Sequence, residues 1–493
     1  MEIRFEVVAI ENVDAIKGVV YGSSGVMINN KYIITTANIL LPSVNDEFKK
    51  YLHLGKTENV HLRSCLERLS NLKIICKPKN NGDEYRVENG DVLAVFVSKN
   101  IKYSPKEALD GWSVDTVDNC RSVANSLSIF FVIKIDLMGN MSDFKKCLIQ
   151  WWDLIKNEEV KQCDEICIKS VPFGNKIFLD SYSRGIVSNI FGRNSCLVVS
   201  DCPTTPGSEG SPVYKINNSN DGSCRDVPLG MVISASCWWK RIWTGLTLIA
   251  DIRSILLELL LNNQYEGPIT NIPHHHLVAS VELCLLQVYC GPKWGTAVII
   301  SAEHGILLTN SHVIDDGHQI TLYWKKQMIK AITVYKTPNN QVFDLAVLKC
   351  DANILKTWGL KTADDSKAIT NIGDEVFSVG FPIFSKDSGC KPTVSKGFVI
   401  QINESMIKTT CCVNPGMSGG ALLNRFGQLV GIIVCNTRCE ESVYPRFNMT
   451  IPYNVIKEII QRFLKNNDAT TLNHLFTNER KFTSPWKNLE AKL

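Results

Sequence analysis

The feature that most constrains this chain is that one plan is written in it twice. Five short stretches recur in the same order, at offsets that run from 273 down to 200 residues. GSSGVMINNKYIITTANIL (residues 22–40) returns as GTAVIISAEHGILLTNSHVI (295–314), and DVLAVFV (91–97) as DLAVLKC (344–350). SRGIVS (183–188) returns as SKGFVI (395–400), PGSEGSPVY (206–214) as PGMSGGALL (415–423), and LGMVISAS (229–236) as LVGIIVCN (429–436). Self-similarity at this length points to a duplicated domain rather than a solenoid, whose periods are far shorter.

Within each half, short β-branched runs alternate with Gly, Pro, Asn and Asp turns, the pattern of an all-β barrel or sandwich. Each half closes on a strand and then an apolar-periodic segment, with Ile456, Ile459, Ile460 and Leu464 at helical spacing in the second. Residues 263–276 are polar and broken by Pro268 and Pro273, so they read as a linker. The expected organisation is a first domain over 1–262, a second over 277–465 and a tail over 466–493. Residues near 102–169 have no counterpart in the second half and read as an insertion. MSDFKKCLIQWWDLIK within them fits a helix or an edge strand.

The chemistry lies in the second half. His312 ends an apolar run in TNSHVI, Asp344 begins one in FDLAVLK, and Ser418 sits in the glycine-rich NPGMSGGAL. The order His, Asp, Ser suits nucleophilic catalysis of acyl transfer. A serine hydroxyl is a poor nucleophile until a base takes its proton. Imidazole can do this near neutrality, and a buried carboxylate fixes its tautomer. Backbone N–H groups must also converge on the developing oxyanion, and Gly416 admits a backbone conformation that a side chain resists.

The first half fails the same test. Asn38 stands where His312 stands, and Glu209 where Ser418 stands, while Asp91 aligns with Asp344. Neither Asn nor Glu can replace the base and the hydroxyl nucleophile. A catalytically inert copy is expected, serving either as a partner, substrate-holding or regulatory module or simply as a domain that stabilises its neighbour.

TNSHVI, DLAVLK, GMSGG and LVGIIVCNT resemble the trypsin-fold serine proteases of the Deg/HtrA sort. The resemblance implies two tandem chymotrypsin/trypsin-like double β-barrel domains, the first degenerate. It implies one barrel carrying His312 and Asp344 and another carrying Ser418. It further implies Gly416 and Ser418 amides as oxyanion donors, and Val434, Cys435 and Asn436 as the strand that pairs with substrate. Cys412 would floor the specificity pocket, which argues against cleavage after Lys or Arg.

The ending Ala491-Lys492-Leu493 is close to the peroxisomal S-K-L address, though it departs from it at the first residue. With it, the chain resembles those members of the family that process leader peptides in the peroxisomal matrix. That implies endopeptidase action on imported enzyme precursors of fatty-acid β-oxidation, self-processing, and an import receptor for the C-terminal tripeptide. The rival is a protease fold kept as a chaperone or scaffold for those enzymes.

Composition sets the remaining expectations. The N-terminal stretch carries Glu2, Arg4, Glu6 and Glu11, which does not suit a secretory leader. Most of the 18 cysteines are therefore expected to be reduced. The pairs Cys163/Cys167 and Cys435/Cys439 lack a second ligand pair, so no metal or other cofactor is expected. A net charge of +4 gives no case for nucleic acid or membrane as partners, and a homo-oligomer is left open.

Overall fold

A computed structural model describes residues 3–14, 19–37, 72–78, 84–104, 112–113, 127–135, 139–216, 225–235, 237–260, 281–338, 343–365, 370–384, 391–439 and 442–475. The described residues hold four closed, six-stranded antiparallel barrels, two in each half. The fold is thus the tandem double-barrel class expected of the sequence. The chain divides into two units: residues 1–241 with 246–273, and residues 274–493 with 242–245.

In the second unit, one barrel takes Leu285–Cys290, Lys293–Ser301, Ile306–Thr309, Ile320–Trp324, Gln327–Lys336 and Ala346–Cys350. The other takes Glu375–Gly380, Thr393–Ile402, Ile407–Thr409, Ala421–Asn424, Leu429–Cys439 and Ser442–Pro452. Each barrel encloses its own apolar core. Leu286, Val288, Leu307, Leu322 and Leu348 meet in the first, and Val376, Val399, Leu422 and Ile433 in the second. Their side chains point to the barrel interior, and the strand pairing that runs round each ring closes it. The helix Tyr453–Asn466 buries Tyr453, Ile456, Ile460 and Phe463. Its face is therefore turned slightly from the sequence expectation, with Phe463 inside and Ile459 half-buried. It stops at Asn467, whose φ of 51° is the left-handed conformation of a helix C-terminus.

The first unit repeats both barrels. One takes Phe5–Asp14, Val19–Ile28, Tyr32–Thr36, Leu72–Cys76, Arg86–Val97 and Ile129–Lys134. The other takes Glu165–Ser170, Ser181–Phe191, Leu197–Ser200, Pro212–Lys215, Gly230–Ser234 and Thr247–Asp251.

This topology corrects two expectations. Residues 102–169 are not one insertion, because they supply the sixth strand of one barrel (Ile129–Lys134) and the first strand of the next (Glu165–Ser170). Between them, Met141–Ile155 is a helix, capped by Asn140 and burying Phe144, Leu148, Trp151 and Ile155. The second correction concerns Asp91. Its strand, Arg86–Val97, holds the barrel position of Gln327–Lys336, and Ile129–Lys134 holds that of Ala346–Cys350. Asp91 is therefore not the counterpart of Asp344. The similar apolar runs concealed this because every strand of a small barrel alternates in the same way.

Cys167 is held in a disulfide, so the expectation of reduced thiols does not extend to it. Twelve described cysteines are free and buried. Among the described residues, no helix is long and apolar enough to cross a membrane.

Candidate active site

Three elements of the second unit bring the sequence candidates into place. The strand Ile306–Thr309 runs into a short 3₁₀ turn, Ser311–Val313, that presents His312. Asn310 pins this turn by donating from Nδ2 to the Asp344 carbonyl at 2.8 Å, and Ser311 Oγ donates to the Thr337 carbonyl at 2.6 Å. Asp344 lies two residues before the strand Ala346–Cys350, and its side chain is only 3% exposed. Its Oδ2 lies 2.7 Å from His312 Nδ1, and its Oδ1 accepts from the His312 amide at 3.0 Å. Both carboxylate oxygens thus serve one residue. An imidazole held this way keeps its proton on Nδ1, which leaves Nε2 as the acceptor.

Ser418 belongs to the other barrel, in the turn that leads into Ala421–Asn424. Gly416 takes a φ of 97° there, and a Cβ on it would lie 2.5 Å from the Phe381 carbonyl oxygen. Glycine is therefore required at this point. Thr296 ties the turn to the neighbouring barrel. Its amide donates to the Ser418 carbonyl at 2.8 Å, and its Oγ1 donates to the Gly416 carbonyl at 2.8 Å. The Met417 amide is engaged by the Asn414 carbonyl, and the Gly419 amide by that of Ile433. Among the described residues, the Gly416 and Ser418 amides have no acceptor. They are the two that the sequence nominates for an oxyanion.

The hydroxyl of Ser418 donates to the Val434 carbonyl at 3.0 Å. Among the described residues no hydrogen bond joins it to His312. The Val434 carbonyl sits at a bulge, since the register of Leu429–Cys439 against Ser442–Pro452 slips between Ile433 and Cys435. Cys435 and Asn436 then pair with Met449 and Asn448.

Cys412 is buried. Its amide donates to Ser395 Oγ at 2.6 Å, and its thiol donates to the Thr244 carbonyl at 3.1 Å. Asn436 Nδ2 donates to the Val413 carbonyl at 2.7 Å. The segment 242–245, grouped with the second unit, was not foreseen from sequence. Its other anchor is Arg446 Nη2, which donates to the Gly245 carbonyl at 3.3 Å. No local signal in IWTG marks such a placement.

The first unit keeps the same hydrogen-bond frame around a different occupant. The Ser24 amide donates to the Glu209 carbonyl at 3.0 Å and Ser24 Oγ to the Gly207 carbonyl at 2.9 Å, matching Thr296 with Ser418 and Gly416. Thr35 Oγ1 donates to the Ser24 carbonyl as Thr309 Oγ1 does to that of Thr296, each at 2.7 Å. The Ser208 and Gly210 amides are engaged by Thr205 and Val232, as those of Met417 and Gly419 are by Asn414 and Ile433. Glu209 therefore stands at the place of Ser418. Its Oε2 accepts from the Gly207 amide at 2.8 Å and its Oε1 from the Ala235 amide at 3.2 Å. Desolvation raises this carboxyl above its usual pKa, and the amides of Glu209 itself, Ala235 and Gly207 oppose that rise only in part.

Thr35 pairs with Phe131 as Thr309 pairs with Ala346. Two residues earlier, where Asp344 stands, the first unit has buried Ile129. Asn38 and the tripeptide Ala491, Lys492 and Leu493 lie outside the described residues.

Residues 295–432 match the trypsin-like peptidase domain, so the chain contains such a domain. The chain is similar to the peroxisomal leader peptide-processing proteases of Mus musculus and Homo sapiens, each 27% identical over 335 residues. Those matches cover 62% of this chain and 56% of theirs, so the chain spans little more than half the length of these curated relatives. Serine endoprotease DegS of Escherichia coli (strain K12) is 28% identical over 180 residues, 35% of this chain and 48% of that one. Among solved structures, the serine endoprotease from Yersinia pestis is 27% identical, covering 40% of this chain and 69% of that chain at a TM-score of 0.33. The sequence likenesses support a serine-protease function.

Proposed function

We propose that this protein is a serine endopeptidase in which His312 is the general base, Asp344 orients it and Ser418 attacks the scissile carbonyl. The observation that carries this reading is the Asp344 carboxylate, whose two oxygens grip the Nδ1 and the amide of His312 at 2.7 and 3.0 Å. For attack, the Ser418 side chain rotates away from the Val434 carbonyl and passes its proton to His312 Nε2. The Gly416 and Ser418 amides then receive the oxyanion, each such donor being worth about 2.7–4 kcal/mol of transition-state stabilisation. His312, now an imidazolium steadied by Asp344, returns the proton to the leaving amine. The acyl-enzyme is released by water through the same base.

Val434–Asn436 would take the substrate backbone as an added strand, and Cys412 would bound the pocket for the residue before the cleaved bond. We assign the substrates as leader-bearing precursors of peroxisomal matrix enzymes, including those of fatty-acid β-oxidation, with the chain itself as a further substrate. The names of the mouse and human relatives support this class and the peroxisomal site of action. The division 1–262, 263–276, 277–465 and 466–493 would then separate an inert half from an active one.

The test is incubation with purified precursors, followed by mapping of new N-termini by mass spectrometry. Leader removal by the wild type and none by Ser418→Ala is expected. Equal processing by a Ser418→Ala chain free of other proteases would sink the assignment. A fluorophosphonate probe separates an activated serine from a scaffold, since only the former is labelled.

A further inference from the structure

In the first unit the side chain of Glu209 folds back onto the amides of Gly207 and Ala235. The equivalent frame places the Gly207 and Glu209 amides where the Gly416 and Ser418 amides stand. In the second unit those two amides have no acceptor among the described residues. In the first unit they face the carboxylate of Glu209 itself, joined by the Ala235 amide. Ser23 Oγ and the Ser24 amide both donate to the Glu209 carbonyl, at 2.7 and 3.0 Å, which fixes the backbone from which the side chain folds back. Gly207 has a φ of 91°, and a Cβ there would lie 2.1 Å from the Gly174 nitrogen, so the turn cannot relax around a larger residue.

We propose that this turn is an oxyanion pocket converted into a carboxylate-binding site, and that Glu209 is its tethered ligand. The two oxygens of one planar carboxylate meet amides from two separate turns, which is the chemistry that would bind a small free carboxylate or the C-terminal carboxylate of a peptide. While Glu209 fills it, the pocket is closed to any substrate carbonyl. The inert half then cannot hold a peptide at its former centre, and its contribution must come through other surfaces. This inference does not depend on catalysis at Ser418.

The test uses the full chain with Glu209→Ala and Glu209→Gln, and acetate as the probe. Glu209→Ala should melt below the wild type, and acetate should raise its Tm saturably while chloride at equal ionic strength does not. The wild type, already filled, should show no such acetate-specific rise. Glu209→Gln should also melt below the wild type, because its NH₂ confronts an amide donor, and acetate should not restore it. If Glu209→Ala does not fold in buffer, acetate in the refolding medium should raise the yield at least several-fold over chloride. An equal acetate response in wild type and Glu209→Ala overturns the proposal. So does Glu209→Gln melting with the wild type, or a Glu209→Ala chain that acetate neither stabilises nor rescues.

Discussion

Asp344→Asn is the substitution that best separates the geometry of the site from its chemistry. The native carboxylate accepts from His312 Nδ1 at 2.7 Å and from the His312 amide at 3.0 Å. Asparagine has nearly the same shape but only one acceptor oxygen. If that oxygen keeps the His312 amide, the NH₂ faces Nδ1, which must then give up its proton. The proton moves to Nε2, and the nitrogen that should accept from Ser418 becomes a donor. Loss of the productive tautomer costs a factor of about 10⁴ in such a triad, or about 5.5 kcal/mol at about 1.36 kcal/mol per tenfold. The Asp344 backbone carbonyl still accepts from Asn310, so the turn keeps its anchor. The assay is the pseudo-first-order rate of fluorophosphonate labelling at Ser418, with near-ultraviolet circular dichroism to establish that the fold is retained. A folded Asp344→Asn chain that labels within tenfold of the wild-type rate would refute the role given to Asp344.

Gly416→Ala should slow labelling by about 10²–10³, because its Cβ would press on the Phe381 carbonyl and displace an oxyanion donor; an unchanged rate would remove Gly416 from the site. Thr296→Val leaves the Gly416 carbonyl and the Phe381 amide without the hydroxyl that now serves both. Each orphaned group costs about 1–3 kcal/mol, so the midpoint of urea unfolding should fall measurably, and coincident wild-type and variant curves would count against that linkage. Gly245→Val should alter the preference for the residue before the cleaved bond in a peptide library while leaving the labelling rate at Ser418 unchanged. Gly245 has a φ of 65°, and its Cβ would lie 2.8 Å from Pro445 Cγ and 3.4 Å from Cys412 Sγ; an identical cleavage profile would show that residues 242–245 do not shape the pocket. Burial pushes the thiols of Cys163, Cys196, Cys237 and Cys284 up to about 12. At pH 8 their thiolate fraction is on the order of 10⁻⁴, so iodoacetamide should modify them only after unfolding, as peptide mass mapping would reveal. In a Ser418→Ala background, Asn38→His with Glu209→Ser should give no labelling at residue 209; labelling there would contradict the assignment of Ile129 to the place of the acid.

What was legible in the sequence followed from how local each signal is. The pairing of His312 with Asp344 was readable because each borders a short strand, and the two strands, Ile306–Thr309 and Ala346–Cys350, are neighbours in one closed barrel. Gly416 was readable because a positive φ leaves a compositional mark. Asp91 misled because an apolar run states that a strand exists but not which barrel position it fills. The connection from Val97 to Ile129 in the first unit is far longer than that from Lys336 to Ala346 in the second, so the sixth strand fell out of register with the repeat. The segment 242–245 had no periodicity to report, since its role rests on two backbone carbonyls, those of Thr244 and Gly245. Glu209 was legible as the loss of a nucleophile. Its return to the Gly207 amide was not, because that depends on a frame assembled from residues 24, 35 and 207.

The two units show why such a frame can outlast its chemistry. The bonds from Ser24 and Thr35 in one unit, and from Thr296 and Thr309 in the other, satisfy buried backbone groups whether or not a reaction occurs. Leaving those groups unpaired would destabilise either copy, so the glycine turn has a structural reason to persist. An oxyanion pocket, however, keeps amide donors aimed at an anion that is absent between turnovers. In the first unit the Glu209 carboxylate accepts from the Gly207 amide at 2.8 Å, so that donor is paired within the chain. Ile129 suits its place for a separate reason, because an acid there would be a charge in an apolar barrel core beside Ile33, Phe131 and Ile133. Glu209 and Ile129 thus each avoid a different cost in the first unit, an unpaired amide in the one case and an unpartnered buried charge in the other.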